Sequence, residues 1–224
     1  MNSVIRIPLT ATPEQHARLL ALQKAFAQVC NAMSPVVQQT RCWNRVALHH
    51  MVYKTLRARF PAMGSQMVCN AIYSVSRTCR LVFQHPKSPF NLSRLAGKPL
   101  PLLRFDDNCP VYFDRHTLSV KAGQLSMYTL DGRMRFELAL KPDDEAKFHD
   151  MKLQEIVLSR RRDSPFELTF SFVDATALLD SSPPPSEGPE LALAPGGAPE
   201  VALDPPVVGR GMEIPEYVMV EEAV

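Results

Sequence analysis

Gln66, Asn70, Arg77 and Arg80 recur at intervals of four, seven and three along a stretch whose apolar periodicity predicts a helix. An amide in such a position can form paired hydrogen bonds with an adenine edge. A guanidinium can do the same with guanine or clasp a phosphate. A plain solvated helix face is the alternative reading of the same four residues. Charge adds to the first reading, because no Asp or Glu occurs between Glu14 and Asp106, while thirteen Lys or Arg run from Arg18 to Arg104. Solvated helices mix both signs, since like charges repel and opposite ones pair at i,i+4, so a long run of one sign asks for an external counter-charge. Nucleic acid is the natural supplier.

Other chemistry is poorly provided for. The five cysteines (Cys30, Cys42, Cys69, Cys79, Cys109) are odd in number and scattered, with no CxxC pair, and read as reduced thiols of a cytosolic protein. His49 and His50 are neighbours, so on a helix they point about 100° apart and cannot chelate together. Asp114 and His116 lie in a turn, where capping is the expected role. No phosphate loop, dinucleotide turn or nucleophile elbow occurs. No metal, cofactor or catalytic residue is expected.

Three helices are expected to carry the basic interval. Thr12-Pro13-Glu14-Gln15 supplies an N-cap, a proline at the first helical position and acceptors in the first turn. Leu19, Leu22, Phe26, Val29, Cys30 and Met33 then repeat every three or four residues, until Ser34-Pro35 is expected to end the helix. A second helix is predicted from Trp43 to Phe60, with Val46, Leu48, Met51, Val52 and Leu56 inward and Arg45, Lys54, Arg57 and Arg59 outward. The third is predicted from Gly64 to Phe83, with Gln66, Asn70, Ser74, Arg77 and Arg80 facing away from the packing side. Residues 84–101 read as a loop.

Around them the period changes to two. Ser3 to Leu9 predicts one strand, and six more are predicted over 110–113, 117–121, 124–130, 133–140, 152–161 and 166–173. Asp131-Gly132 between two alternating runs is a strong hairpin signal. Pro142 to Asp150 reads as a connection. The expected fold class is α+β: a small antiparallel barrel of the oligonucleotide-binding type from residues 1–12 and 102–173, with helices inserted over 13–101.

At this level of detail the chain resembles the TnpB family, the RNA-guided nucleases of insertion sequences. IRIPLTATPEQHARLLALQKAFAQVCNAM is similar to the family's opening strand and helix. FPAMGSQMVCNAIYSVSRTCRLVF looks like its recognition-lobe helix, and FDRHTLSVKAGQLSMYTLDGRMRFELAL resembles its wedge-domain hairpins. The resemblance implies a wedge-like barrel with a three-helix recognition lobe, which together hold guide RNA and read a short DNA motif. By matching blocks, Gln66 and Asn70 would face base edges, with Arg77 and Arg80 on the backbone and Tyr53, Arg57 and Arg59 on the preceding helix nearby. Lys121, Arg133 and the run Arg160-Arg161-Arg162 would lie on the barrel against phosphates, or form a solvated charge run.

The family's nuclease domain supplies three carboxylates for two divalent cations, and a metal-assisted cut needs such a cluster. After Val173 this sequence turns instead to SSPPPSEGPELALAPGGAPE. Residues 1–173 hold 24 of the 25 Lys/Arg and 13 of the 23 Asp/Glu, a net +11, whereas residues 174–224 hold one basic and ten acidic residues, a net −9, with nine of the twenty prolines. The latter segment is expected to be a disordered acidic tail. The resulting expectation is a non-enzymatic, TnpB-like protein that binds a guide-like RNA, double-stranded DNA or both. Two alternatives stay open: the N-terminal half of a split RNA-guided endonuclease whose nuclease domain is a separate protein, or an inactive transposon remnant. No signal core or run near the roughly 18 apolar residues of a membrane span occurs, so a cytoplasmic, nucleoid-associated location is expected.

Overall fold

The computed structural model describes residues 2–121, 123–138, 140–161, 164–173 and 214–221. Strand β1 (Asn2–Pro8) leads into helices α1 (Pro13–Thr40), α2 (Arg45–Arg59) and α3 (Ser65–Cys79), the last continued by a π-helical turn over Arg80–Gln84. A short helix α4 (Leu92–Leu95) precedes strands β2 (Leu102–Phe105), β3 (Val111–Phe113), β4 (Leu118–Lys121), β5 (Gln124–Thr129) and β6 (Gly132–Glu137). Helix α5 (Pro142–Asp150), β7 (Lys152–Ser159), β8 (Glu167–Val173) and β9 (Val218–Glu221) complete the order. The class is α+β with antiparallel pairing throughout.

Local signals explain most of these elements. Thr12 caps α1 reciprocally with Gln15: the Gln15 N–H donates to the Thr12 hydroxyl at 3.2 Å, and the Thr12 N–H donates to Gln15 Oε1 at 2.9 Å. Pro35 does not end the helix, as its position suggested. It sits inside α1 at an exposed position and removes the hydrogen bond that its own N–H would have given to the Asn31 carbonyl. Packing of Met33 and Val37, both buried, carries the helix past it to Thr40. The 142–150 connection is likewise a helix. Pro142 opens it, Asp143, Asp144 and Glu145 fill its first turn and Lys147 and His149 its last, the charge order that the helix dipole favours.

Three sheets hold the strands. The largest has the order β1-β8-β7-β3, so the N-terminal strand docks on the outer edge of β8 with Ile5 opposite Phe170. Leu168, Phe170 and Phe172 of β8 are all buried and alternate with half-buried residues. Strands β4-β5-β6 form a meander whose second turn is the expected Asp131-Gly132 hairpin, with Gly132 at φ 110°, where any side chain is strained. Among the described residues each sheet is an open series of strands, and no closed barrel is formed. One continuous set of buried side chains runs through all of it, from Phe26 and Leu22 of α1 to Phe170 of β8.

Two strands escaped the sequence reading. Leu102–Phe105 and Val218–Glu221 pair antiparallel as a two-stranded ribbon packed on α1, with Asn31 bonded at both ends to Phe105: its Nδ2 donates to the carbonyl at 2.8 Å and its Oδ1 accepts the N–H at 2.7 Å. This corrects the expectation of an uninterrupted disordered tail over 174–224, since residues 214–221 are docked. The physical reason is that YVMV supplies one buried valine, Val218, and one ring, Tyr217, whose hydroxyl meets Thr78 of α3. Residues 174–213 lie outside the described residues. Replacing Tyr217 by alanine is expected to lower stability by about 2–3 kcal/mol, below the 3–5 of a fully buried aromatic, and Tyr217→Phe by about 1. Urea denaturation of the two variants checks this; neutral values for both would mean that the segment is not docked.

Candidate nucleic-acid interface

Because helices α1 to α4 hold cations and almost no carboxylates, the ion pairs they form reach acids elsewhere in the chain. Arg18 of α1 donates to Asp131 in the β5–β6 turn at 2.7 Å, and Lys24 lies 3.8 Å from Asp107. Hydrogen bonds from Thr129 and Arg18 hold the Asp131 carboxyl below its usual range. Arg77 of α3 pairs with Glu155 of β7, and Arg104 of β2 with Glu221 of β9 at 3.0 Å. The acid-free interval is therefore partly an internal seam between helices and strands.

Helix α3 lies along that seam, which overturns the outward orientation expected for its polar side chains. Asn70 is 6% and Ser74 1% exposed, because α1 and α2 cover one side of α3 and β3 the other. A helix covered on both sides buries nearly its whole circumference. Gln66 is half-buried and donates through Nε2 to Asp114 Oδ2. The Asp114 carboxylate also accepts the N–H groups of His116 and Thr117, both at 3.0 Å, so this turn pair caps, as expected. Arg77 donates to Glu155 Oε1, the same oxygen that accepts the Tyr73 hydroxyl at 2.9 Å, and its guanidinium stands 5.9 Å from the Tyr112 ring centre. Burial and the nearby Glu155 carboxylate push Tyr73 up to about 12. Arg80, in the π-helical turn, is half-buried.

Helix α2 differs. Its packing stripe is Leu48, Val52 and Leu56 alone; Val46 and Met51, expected inward, are 65% and 43% exposed. A helix at the edge of the helical layer needs only one i,i+4 row of contacts to dock. A second such row, Arg45, His49, Tyr53 and Arg57, forms a ridge of cation, two rings and cation. His49 stacks on Tyr53 with centres 4.6 Å apart, Arg45 lies 5.3 Å over Tyr73, and Arg57 donates to the Met63 carbonyl, tying the end of α2 to the start of α3. Lys54 and Arg59 are exposed, the latter 5.4 Å from the Phe60 ring centre. None of Arg45, Lys54, Arg57 and Arg59 has a carboxylate partner among the described residues.

The strand residues expected at phosphates are dispersed. Lys121 is exposed at the end of β4. Arg133 on β6 covers the exposed Tyr128 ring at 4.7 Å and donates to the His116 carbonyl at 3.0 Å. Arg160 is half-buried over Phe166, Arg161 is exposed, and Arg162 lies outside the described residues. Sequence reading missed Tyr128 and Arg135, which share the outer face of the meander with Arg133. The Asp-Gly turn sets a register with Tyr128 opposite Arg133 and Ser126 opposite Arg135, and that register was the available signal.

Burial pushes the Cys30, Cys69 and Cys79 thiols up, so they stay protonated. No group of three His, Cys, Asp or Glu side chains is gathered as a metal site among the described residues. No helix among them is long and apolar enough to cross a membrane. Compared with known protein families and with characterised proteins, the chain matches none.

Two tests follow from the seam. Glu155→Gln leaves Arg77 without a counter-charge in a site where both side chains are under one-fifth exposed, and is expected to cost roughly 2–3 kcal/mol in urea denaturation, less than the 3–5 of a fully buried pair. Tyr73 titrates near 10 when unfolded and about 12 when folded, so its contribution is complete below pH 10 and is lost as pH rises through about 12. Tyr73→Phe should therefore flatten the fall in urea midpoint between pH 9 and 11.5; an unchanged slope would contradict this assignment.

Proposed function

We propose that the protein binds nucleic acid, guide-like RNA or duplex DNA, through the exposed side of α2, and that it binds without cutting. The observation that carries the reading is the contrast between the two neighbouring helices. The polar groups of α3 have internal partners or are buried, whereas α2 keeps four cations with no carboxylate among the described residues to neutralise them. Phosphates spaced along a backbone are the counter-charge such a helix fits, and the stacked His49–Tyr53 pair adds ring surface beside the cations. Tyr128, Arg133 and Arg135 on the meander offer a second contact of the same chemistry. In this reading the strands are the wedge-like, oligonucleotide-binding-type part of a TnpB-like protein, and α1 to α3 are its recognition lobe. Recognition then rests on phosphate positioning more than on base edges, because Gln66 and Asn70 are not presented outward.

Fluorescence anisotropy with a labelled duplex and a structured RNA, repeated across a salt series, tests this. Log affinity is expected to fall linearly with log salt, and Lys54→Ala with Arg59→Ala should reduce the steepness by about 2, while Gln66→Ala leaves affinity unchanged. Absence of salt-dependent binding to either probe, or indifference to the double substitution, would overturn the proposal.

A further inference from the structure

A cavity of about 340 Å³ lies between β4, α5, β7 and β8. Leu118, Ile156 and Phe170 form its fully buried walls, and Val120, Phe148 and Leu153 complete them while remaining half-buried. The Phe148 ring is held in place by edge-on contacts to Phe170 at 5.1 Å and Phe172 at 5.0 Å, so this wall exists without a ligand. Around the lining stand Arg115 and Lys121, both exposed and neither with a carboxylate partner among the described residues, against the single acid Glu145. An apolar cavity at the small end of the ligand-pocket range, lined by partly wetted apolar groups and two cations, has a definite complement.

We propose that this cavity binds a small amphipathic carboxylate, with its apolar chain among the six walls and its carboxylate on one of the two lining cations, Arg115 or Lys121. Covering Val120, Phe148 and Leu153 supplies the drive, since their apolar surface leaves water when the chain enters. The two cations supply selectivity for an anion over the matching alcohol. A nucleobase fits less well, because its polar edges need hydrogen-bond partners among the walls, whereas the polar lining side chains Ser119, Glu145 and His149 are all exposed, and a buried unpaired donor or acceptor costs more than stacking returns. The proposal rests on observations separate from those on α2 and stands or falls independently of nucleic-acid binding.

Titration calorimetry of the full chain with decanoate, decanol and adenosine monophosphate decides it. Decanoate is expected to bind one to one with a negative heat-capacity change. Charge reversal at both exposed positions, Arg115→Glu with Lys121→Glu, should weaken decanoate roughly tenfold and leave decanol unaltered. Val120→Trp, which fills the cavity from a half-exposed strand position, should abolish binding of both while thermal unfolding stays cooperative. If that variant fails to fold, the charge reversal decides alone. Absence of saturable one-to-one decanoate binding, decanoate affinity indifferent to charge reversal, or adenosine monophosphate binding in preference to decanoate would overturn the assignment.

Discussion

Helices α1 to α4 of this protein carry positive charge with almost no negative charge of their own, and the rest of the structure is arranged around where that charge is neutralised. From Gln15 to Phe105 there is no Asp or Glu, and among the described residues each ion pair made by a cation there reaches a carboxylate at residue 106 or beyond. Asp131, Asp107, Glu155 and Glu221 meet Arg18, Lys24, Arg77 and Arg104 in this way. Pairs exposed at the surface contribute little on their own. Glu155 is different: it accepts from both Arg77 and Tyr73 in a site mostly closed to water, and it lies where α3 meets the central sheet.

Hydrophobic burial does most of the stabilising, and the seam directs it. Phe166, Phe170 and Phe172 beside Leu168 give the central sheet an apolar face, and Leu19, Leu22 and Phe26 give α1 another. Such surfaces are non-directional and would tolerate several ways of docking. The ion pair at Glu155, the Gln66–Asp114 bond and the two bonds of Asn31 to Phe105 fix one of them, because a buried polar group left without its partner costs more than a small loss of apolar contact.

This division of labour separates two helices that look alike in sequence. Both α2 and α3 have basic residues and no acids, yet α3 uses its polar groups to hold the fold, whereas α2 leaves Arg45, Lys54 and Arg59 exposed and ties only Arg57 to a carbonyl. Only charge that remains uncompensated at the surface has free energy to give to a polyanion. The ridge of Arg45, His49, Tyr53 and Arg57, rather than the amides of α3, is therefore the surface proposed to meet a polyanion, and the exposed Lys54 and Arg59 beside it extend the same field.

Sequence alone determined the local features: the Thr12 cap and Pro13 start of α1, the Asp131-Gly132 hairpin, the period-two strands from Val111 to Val173 and the segregation of charge. Each is written in residues a few positions apart, where steric and hydrogen-bonding preferences act directly. Helix α5 was legible too, in Pro142 and the three acids after it, but was passed over. What only the tertiary structure decided was which polar face is wet. Asn70 and Arg77 read as outward because the helix period cannot count neighbours, and α3 turned out to be covered from two sides. The pairing of Leu102–Phe105 with Val218–Glu221 was equally hidden, since more than a hundred residues separate the two strands and nothing in a four-residue run names its distant partner. Charge is a property of the sequence; whether a charge is spent inside the molecule or offered outside depends on contacts between segments that are far apart in the chain.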